Sequence, residues 1–509
     1  MIFELILISI VTYYFWHWTF WKRRGLPGPW GVPIFGKAGA MLEDSFPPGY
    51  TLQKWTKEYG KIYGFTEGMQ KVMVISDPDL VQEILVKQYD NFYGRKHNPV
   101  QGDPDKDKDI HIVGAQGFRW KRLRTITAPA FSNGSIKKVL TTMEDSTQEL
   151  MKKLREESEN GKAVNMHLFY QEYTFDVISR VAMGQPDSQM FKNPLLKDVK
   201  GFFEHNRWQI WMFSGGFPFA VSFLKWLFIK VGKFGAGPFI VVQKSVTDAV
   251  MSRIAQREAD KKHGVEPGEA ADYIDMFLNA RAEVEHFGES NDEFHKSSSY
   301  NNRQLTTQEI ISQCFVFLVA GFDTTAISLS YVTYFLALNP KIQSKLQDEV
   351  DKECPNDEIT FDQLSKLKYM DNVIKESLRL FPFASFANSR RCMRNTVIGE
   401  QIVEAGVDVM IDTWTLHHDK NVWGNDVEEF KPERWDSPLT PQQAYLSFGA
   451  GPRVCLGMRF ALLEQKGLLS HILKKYTFET NAKTQLPIKL VGRATARPEN
   501  LFLSLKPRV

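Results

Sequence analysis

The chain has 509 residues, of which 43% are hydrophobic, 13% aromatic and 24% charged, an ordinary folded composition. Its 63 Lys and Arg against 60 Asp and Glu leave a net charge of +3, which excludes both the global basic field of a nucleic-acid binder and the acidic excess of a disordered chain. Four cysteines (Cys314, Cys354, Cys392 and Cys455) with no C-x-x-C pair exclude a disulfide scaffold and a structural zinc module, so any special thiol acts singly.

Residues 2–21 read IFELILISIVTYYFWHWTFW, close to the ~20 apolar residues of a bilayer span. Glu4 and His17 lie near its two ends. Lys22, Arg23 and Arg24 follow, then Leu26-Pro27-Gly28-Pro29. Positive charge after the apolar run, and bulky aromatics where a cleavage site would need small residues, argue for an uncleaved anchor and against a signal peptide. The basic triplet then marks the cytoplasmic side, and the Pro/Gly run starts the body. The low cysteine count suits a reducing cytosol.

Residues 72–75 are a short β-prone run, and 132–155 and 175–183 have helical spacing of apolar residues. The stretch 201–242 is aromatic, from Phe202 and Phe203 through Trp208, Trp211, Phe213, Phe217, Phe219 and Phe223 to Trp226 and Phe228. It reads either as core helices around a loop or as a membrane contact or pocket lid. The polar segment 283–304 reads as a surface linker. Thr306 with Glu309 then fits a capping box, and apolar residues run on to Leu338 before Asn339-Pro340. The spacing predicts a helix of roughly 50 Å at ~1.5 Å per residue, enough to cross a domain. Midway along it, Ala320-Gly321-Phe322-Asp323-Thr324-Thr325 places a polar cluster in an apolar helix. Glu376 and Arg379 are spaced to share a helix face. Short strands are expected at 396–403, at 407–411 and near the C-terminus, which makes the fold mainly α with a small β domain.

The strongest signal is Phe448-Gly449-Ala450-Gly451-Pro452-Arg453-Val454-Cys455-Leu456-Gly457. One thiol sits among glycines that permit tight turns and close approach of a flat ligand. A helical segment follows, so aligned N–H groups favour a thiolate. A thiolate is the form in which cysteine serves as an axial ligand of haem iron. Arg453 adds fixed positive charge for ligand carboxylates or for the thiolate.

This decapeptide resembles the haem-binding loop of the cytochrome P-450 superfamily of haem-thiolate monooxygenases. The motif order along the chain is similar too, nearest to the animal microsomal drug- and steroid-oxidising branch. The resemblance implies a cytochrome P-450 fold preceded by one N-terminal transmembrane helix. Residues 1–24 would be the anchor, 25–33 a proline-rich hinge and 34–509 the haem-binding catalytic domain. It implies haem b (iron protoporphyrin IX) with Cys455 as the iron ligand, Phe448 packed beside the thiolate, and Gly451 and Gly457 letting the loop lie close to the porphyrin. Trp120 and Arg124 match the family's W-x-x-x-R helix and, with Arg453 and Arg390, would bind the haem propionates; Arg390 is preferred over Arg391 by its spacing from Cys392. The other basic residues of that helix would receive an acidic electron donor. Asp323 and Thr324 match the acid–alcohol pair that delivers protons. Glu376, Arg379 and Arg434 match a structural triad; Trp435 stands where the family usually has Phe. Ala320, Phe322, Phe383, Ala384, Ser385 and Phe386 are candidate pocket residues.

The implied activity inserts one atom of O2 into a lipophilic xenobiotic, steroid or fatty acid, with NADPH-derived electrons. The implied partners are a flavoprotein reductase, with cytochrome b5 as a second candidate donor, and the lipid bilayer. The implied location is the endoplasmic reticulum membrane, with the catalytic domain in the cytosol. Two other readings exist. Oxygen-independent isomerases or dehydratases of this fold need no proton relay, so the Asp323-Thr324 pair argues against them. A non-enzymatic haem- or lipid-binding membrane protein would show no reductase-dependent turnover.

Overall fold

The computed structural model describes residues 1–41, 47–96, 98–100, 103–159, 161–204, 208–231, 236–265, 270, 272–280 and 305–508. The expected linker at 283–304 lies outside them.

The predicted capping box forms. Thr306 Oγ1 accepts from the Glu309 N–H at 3.1 Å, and Glu309 Oε2 accepts from the Thr306 N–H at 3.0 Å. These two bonds satisfy orphan donors where the central helix begins. That helix runs Thr307–Leu338, 32 residues, and is buried along most of its length. It is long and apolar enough to span a bilayer, but its burial makes it the core of the body. The helix Met166–Met183 lies closely along it. Close approach has a local cause at Gly321, where a Cβ would lie 2.8 Å from Ile178 Cδ1.

The expected minor sheet is present. Strand Ile62–Glu67 pairs antiparallel with Gln70–Ile75, which pairs parallel with Asp408–Ile411, which pairs antiparallel with Arg390–Arg391. The parallel register sets Val72 opposite Asp408 and Ile75 opposite Ile411. Val72, Met73, Val74 and Ile75 are all buried, as expected of a strand packed on both faces. A second sheet joins Val164–Asn165, Phe502–Pro507 and Tyr476–Glu479.

The N-terminal helix Ile2–Trp18 has no buried residue. Just beyond it the chain is fastened down. Phe20, Trp21 and Leu26 are buried, and the Trp21 indole donates to the Phe65 carbonyl at 2.8 Å. The Gly64 N–H donates to the Pro27 carbonyl at 2.8 Å. Gly28 has φ +152°, and a Cβ there would lie 1.9 Å from the Gly64 oxygen, so only glycine lets the Pro/Gly run lie against the strand.

Part of the aromatic stretch is core and part is exposed. Phe202 and Phe203 pack against the core, with the Phe202 ring 6.0 Å from Phe315. Phe219, Phe223 and Trp226 are exposed at 82%, 60% and 52%.

Candidate active site around Cys455

Cys455 lies between a short turn of helix, Gly451–Arg453, and the helix Met458–Lys475. The Cys455 N–H donates to the Phe448 carbonyl at 2.8 Å and closes the loop. Gly451 has φ +66°, and a Cβ there would lie 2.0 Å from the Leu85 carbonyl oxygen. Its glycine is therefore demanded by the chain's own backbone. Gly457 has an ordinary φ of −85°, and a Cβ there would make only normal contact with Phe131, so nothing in the chain itself requires glycine.

Of the four cysteines, Cys455 alone is exposed. The chain still encloses it closely enough that burial pushes its thiol pKa up, against the pull of the Gly457 N–H, the Arg124 and Arg95 charges and the Met458 N–H. A residue reachable from solvent yet surrounded by protein lines an internal space. The central helix gives the same sign. Ala320 is exposed and Thr324 half-exposed, although 309–318 and 325–337 are buried on either side. The helix after Cys455 is tied to the central helix just past Thr324, by Glu464 to Thr325 and by Ser328 to Gln465 at 2.5 Å.

Four arginines gather at this space: Arg95, Arg124, Arg390 and Arg453. Burial pushes Arg453 down to about 9, reinforced by Arg95 and Arg124. Burial pushes Arg95 down to about 10, and Arg390 well below the ordinary range with Arg95 and Arg453 adding to it. Arg124 is lowered by burial as well. Among the described residues no carboxylate forms an ion pair with any of the four. Three of them donate to backbone carbonyls, Arg453 to Tyr93 O at 2.8 Å and Ala115 O at 2.7 Å, Arg390 to Ser389 O at 2.9 Å, and Arg95 to Ala387 O, and Arg453 also meets the Tyr89 side chain. The Nε atoms of Arg95, Arg390 and Arg453 are buried without a hydrogen-bond partner. Arginine keeps its proton at neutral pH. The cluster is thus a standing electrostatic cost that an anionic ligand would relieve. Trp120 is sandwiched within it, its ring 4.3 Å from the Arg453 guanidinium and 5.8 Å from that of Arg124.

These residues fit an anionic ligand beside Cys455, and haem with its propionates would be such a ligand. Among the described residues no three His, Cys, Asp or Glu side chains converge as a metal site. A metal held by Cys455 would therefore take one protein ligand and bring its other ligands with it, as a porphyrin does.

Several expected site residues are placed differently from the sequence reading. Arg119 and Arg122 were expected to face a donor protein. Both are buried instead: Arg122 pairs with Glu309 in two bonds of 2.7 and 3.1 Å, and Arg119 donates to loop carbonyls including Asp107 O. Phe322 does not line the space; it is fully buried, its ring 5.7 Å from Phe175. Asp323 and Thr324 face different sides. Thr324 Oγ1 donates to the Ala320 carbonyl at 2.6 Å. Asp323 is 1% exposed, and its carboxylate is hydrogen-bonded by Gln171 and Thr495. Phe383 and Phe386 line a narrow cleft with Leu52, Trp414, Ala494 and Ala496, and Ala384 is half-buried beside them. Ser385 opens the short helix Ser385–Asn388, and its side chain lies outside the described part.

Two groups were missed in the sequence. Arg95 sits in a loop with no periodicity to flag it. Ala494, Thr495 and Ala496 come from the far C-terminal end of the chain, and only folding brings them to this site.

The expected triad assembles. Glu376 and Arg379 are fully buried and doubly bonded at 2.9 and 3.0 Å, and Arg434 Nε donates to Glu376 Oε1 at 3.2 Å. The Trp435 indole donates to Glu376 Oε2 at 3.0 Å, a bond that a Phe there could not make. Removing one partner strands the others in a dry site. Glu376→Ala is expected to cost about 3–5 kcal/mol, read as a lowered denaturation midpoint of the purified protein.

A family model described as Cytochrome P450 matches residues 26–504. The chain belongs to the cytochrome P450 family. It is similar to three Caenorhabditis elegans proteins of that family: CYP13A1 at 55% identity, CYP13A10 at 54% and CYP13A5 at 51%. The alignments cover 99%, 99% and 98% of this chain, and 98%, 98% and 97% of the relatives. The relationship is thus to the nematode CYP13A proteins, a finer placement than the drug- and steroid-oxidising branch expected from sequence. Family membership supports haem-dependent oxidoreductase chemistry in general terms.

Proposed function

We propose that this chain is a membrane-anchored haem-thiolate monooxygenase. It would insert one oxygen atom from O2 into a lipophilic substrate, a xenobiotic, steroid or fatty acid, with electrons passed from NADPH by a flavoprotein reductase. The observation that carries the reading is the pairing of one enclosed, reachable thiol with four clustered arginines, Arg390 and Arg453 buried and Arg95 and Arg124 half-buried, with no carboxylate partner among the described residues.

Haem b, when bound, supplies oxygen binding, reduction and transfer. The chain's residues do the rest. Cys455 Sγ would hold the iron, and the N–H groups of Gly457 and Met458 would steady its charge. Arg95, Arg124, Arg390, Arg453 and Trp120 would hold the propionates, and Arg453 also donates to the Tyr93 and Ala115 carbonyls beside them. Phe448 packs against the loop. Thr324 Oγ1 moves protons at the wall of the space, supplied by Asp323. Ala320, Phe383, Ala384, Ser385 and Phe386 shape the substrate space, and Phe322 supports it from behind.

Ile2–Trp18 would anchor the protein in the endoplasmic reticulum membrane, with Lys22, Arg23 and Arg24 on the cytosolic side. An apolar helix without buried residues needs a lipid cover. The exposed Phe219, Phe223 and Trp226 extend that apolar surface. Their segment touches the anchor, where the Tyr14 hydroxyl donates to the Gly216 carbonyl at 3.0 Å and the Tyr14 ring meets Phe217 at 6.4 Å.

The test is Thr324→Ala. It keeps the haem and its thiolate-type spectrum but diverts reducing equivalents, so peroxide released per O2 consumed rises several-fold. Full coupling with several substrates would contradict the proton-relay role.

A further inference from the structure

The last four carbonyls of a helix have no partner within it. In the triad helix, Lys368–Leu380, each finds one beyond its end. Ser377 O accepts from the Phe381 N–H at 3.0 Å, and Leu378 O accepts from the Ser447 hydroxyl at 3.0 Å. Arg379 O faces His417 Nδ1 at 3.1 Å, and Leu380 O faces His418 Nε2 at 2.9 Å. Two of these partners tie the helix end to the chain that enters the Cys455 loop. Ser447 belongs to that chain, next to Phe448. His417 reaches it from outside, because the Leu446 N–H donates to its Nε2 at 2.9 Å. His417 is fully buried at the end of the short helix Thr413–His417. Its ring stacks on Tyr445 at 5.7 Å and meets Trp423 edge-on at 6.1 Å.

A carbonyl only accepts and an amide N–H only donates, so the ring carries its proton on Nδ1 and offers a lone pair at Nε2. Burial pushes its pKa down to about 3, with the Arg379 and His418 charges adding to it, against the Arg379 and Ala444 carbonyls. The ring is therefore neutral at neutral pH. Arg379 returns the bond, its Nη1 donating to the His417 carbonyl at 2.8 Å, while its other donors hold Glu376. A continuous line thus runs from Glu376 through Arg379 and His417 to Leu446, two residues before Phe448, whose carbonyl takes the Cys455 N–H. Leu446 O is held as well, by Asn388 Nδ2 at 3.1 Å and the Gly449 N–H at 2.9 Å. We infer that His417 is a positioning residue for the thiol: its imidazole carries the rigidity of the buried triad to the Cys455 loop, through the single bond from the Leu446 N–H to Nε2. The inference rests on the haem-thiolate reading and deepens it. The two edges of the ring can be separated chemically. An asparagine amide reaches the place of Nδ1, and a glutamine amide the place of Nε2. His417→Asn keeps the bond to Arg379 O and loses the one from Leu446, whereas His417→Gln does the reverse. A residue that only fills space and caps the helix tolerates Asn at least as well as Gln. A residue that holds the loop tolerates Gln and not Asn.

The experiment uses the full-length haem-loaded protein and reads two quantities. One is the rate at which the thiolate-type spectrum of the reduced carbon monoxide complex is lost in a fixed, sub-denaturing concentration of urea. The other is hydrogen exchange at the Leu446 amide, followed by fragmentation mass spectrometry. In the unaltered protein that amide should exchange as slowly as the amides of the helix Lys368–Leu380, a result that needs no variant to fold. His417→Asn and His417→Phe should lose the spectrum, and exchange the Leu446 amide, roughly tenfold faster than wild type, as loss of one buried hydrogen bond implies. His417→Gln should stay within a factor of about two of wild type in both, because its bond to Leu446 remains. The link is overturned if Gln is as fast as Asn and Phe, if Asn keeps the wild-type values, or if the wild-type Leu446 amide exchanges freely. Failure of the haem-thiolate reading looks different: the wild type itself then gives no thiolate-type spectrum, and the exchange rates alone decide the His417 link.

Discussion

Cys455→Ala is expected to abolish product formation and the thiolate-type spectrum, while the protein should still fold and still sort to membranes. The substitution touches the outcome so strongly because nothing else in the site can replace the thiol. The other three cysteines are buried, and among the described residues no cluster of His, Cys, Asp or Glu offers an alternative metal site. The loop itself is held by backbone, through the Cys455 N–H to Phe448 O and the fit of Gly451 against Leu85 O, and alanine preserves both. A thiol-alkylating reagent gives a second readout. Burial raises the Cys455 pKa, so in haem-free protein the residue is a neutral thiol at pH 7 and reacts slowly. Its labelling should accelerate as pH rises, because the reactive thiolate then forms. Bound haem should block labelling at every pH. Labelling of haem-loaded protein at Cys455 would show that the thiol does not hold the iron.

Arg390→Met should change sign between the haem-free and haem-loaded protein. Arg390 is 1% exposed, bonds only local backbone carbonyls among its recorded partners, and is pressed by Arg95 and Arg453. Without an anion its charge opposes folding, and an apolar side chain of similar length removes that opposition. The haem-free chain, prepared under haem limitation, should therefore unfold at a higher denaturant concentration than wild type. With haem bound, the same substitution deletes a hydrogen bond to a charged group, worth about 1.5–3 kcal/mol. Haem should then dissociate ~10- to 150-fold more readily, at 1.4 kcal/mol per factor of ten. Transfer of haem to an acceptor protein measures this loss. If Arg390→Met destabilised both forms equally, Arg390 would be a packing residue and the anion site would lie elsewhere.

What was legible in the sequence is what local chemistry specifies. The Thr306–Glu309 box and the Asn339-Pro340 stop define the central helix because caps and proline act within one turn. Glu376 and Arg379 meet because their spacing puts them on one helix face. The Cys455 loop stands out because its glycines and thiol are contiguous. Arg124, Arg390 and Arg453 were marked by motif or spacing, but Arg95 was not; only folding shows that the four share one wall. The facing of Arg119, Arg122, Phe322 and Asp323 was likewise not legible. Each depends on which neighbour the helix packs against: Glu309 for Arg122, Phe175 for Phe322, and Gln171 with Thr495 for Asp323. Trp435 teaches the same lesson. A change from Phe that looks conservative in sequence adds an indole donor to the buried Glu376.

The central claim is that Cys455 holds haem iron as a thiolate. The most direct measurement is the difference spectrum of the dithionite-reduced, detergent-solubilised protein with and without carbon monoxide. The wild type should show the strongly red-shifted Soret band of a thiolate-ligated haem, and Cys455→Ala should lack it. A Soret band of the histidine-ligated type, or none from folded protein supplied with haem, would contradict the claim.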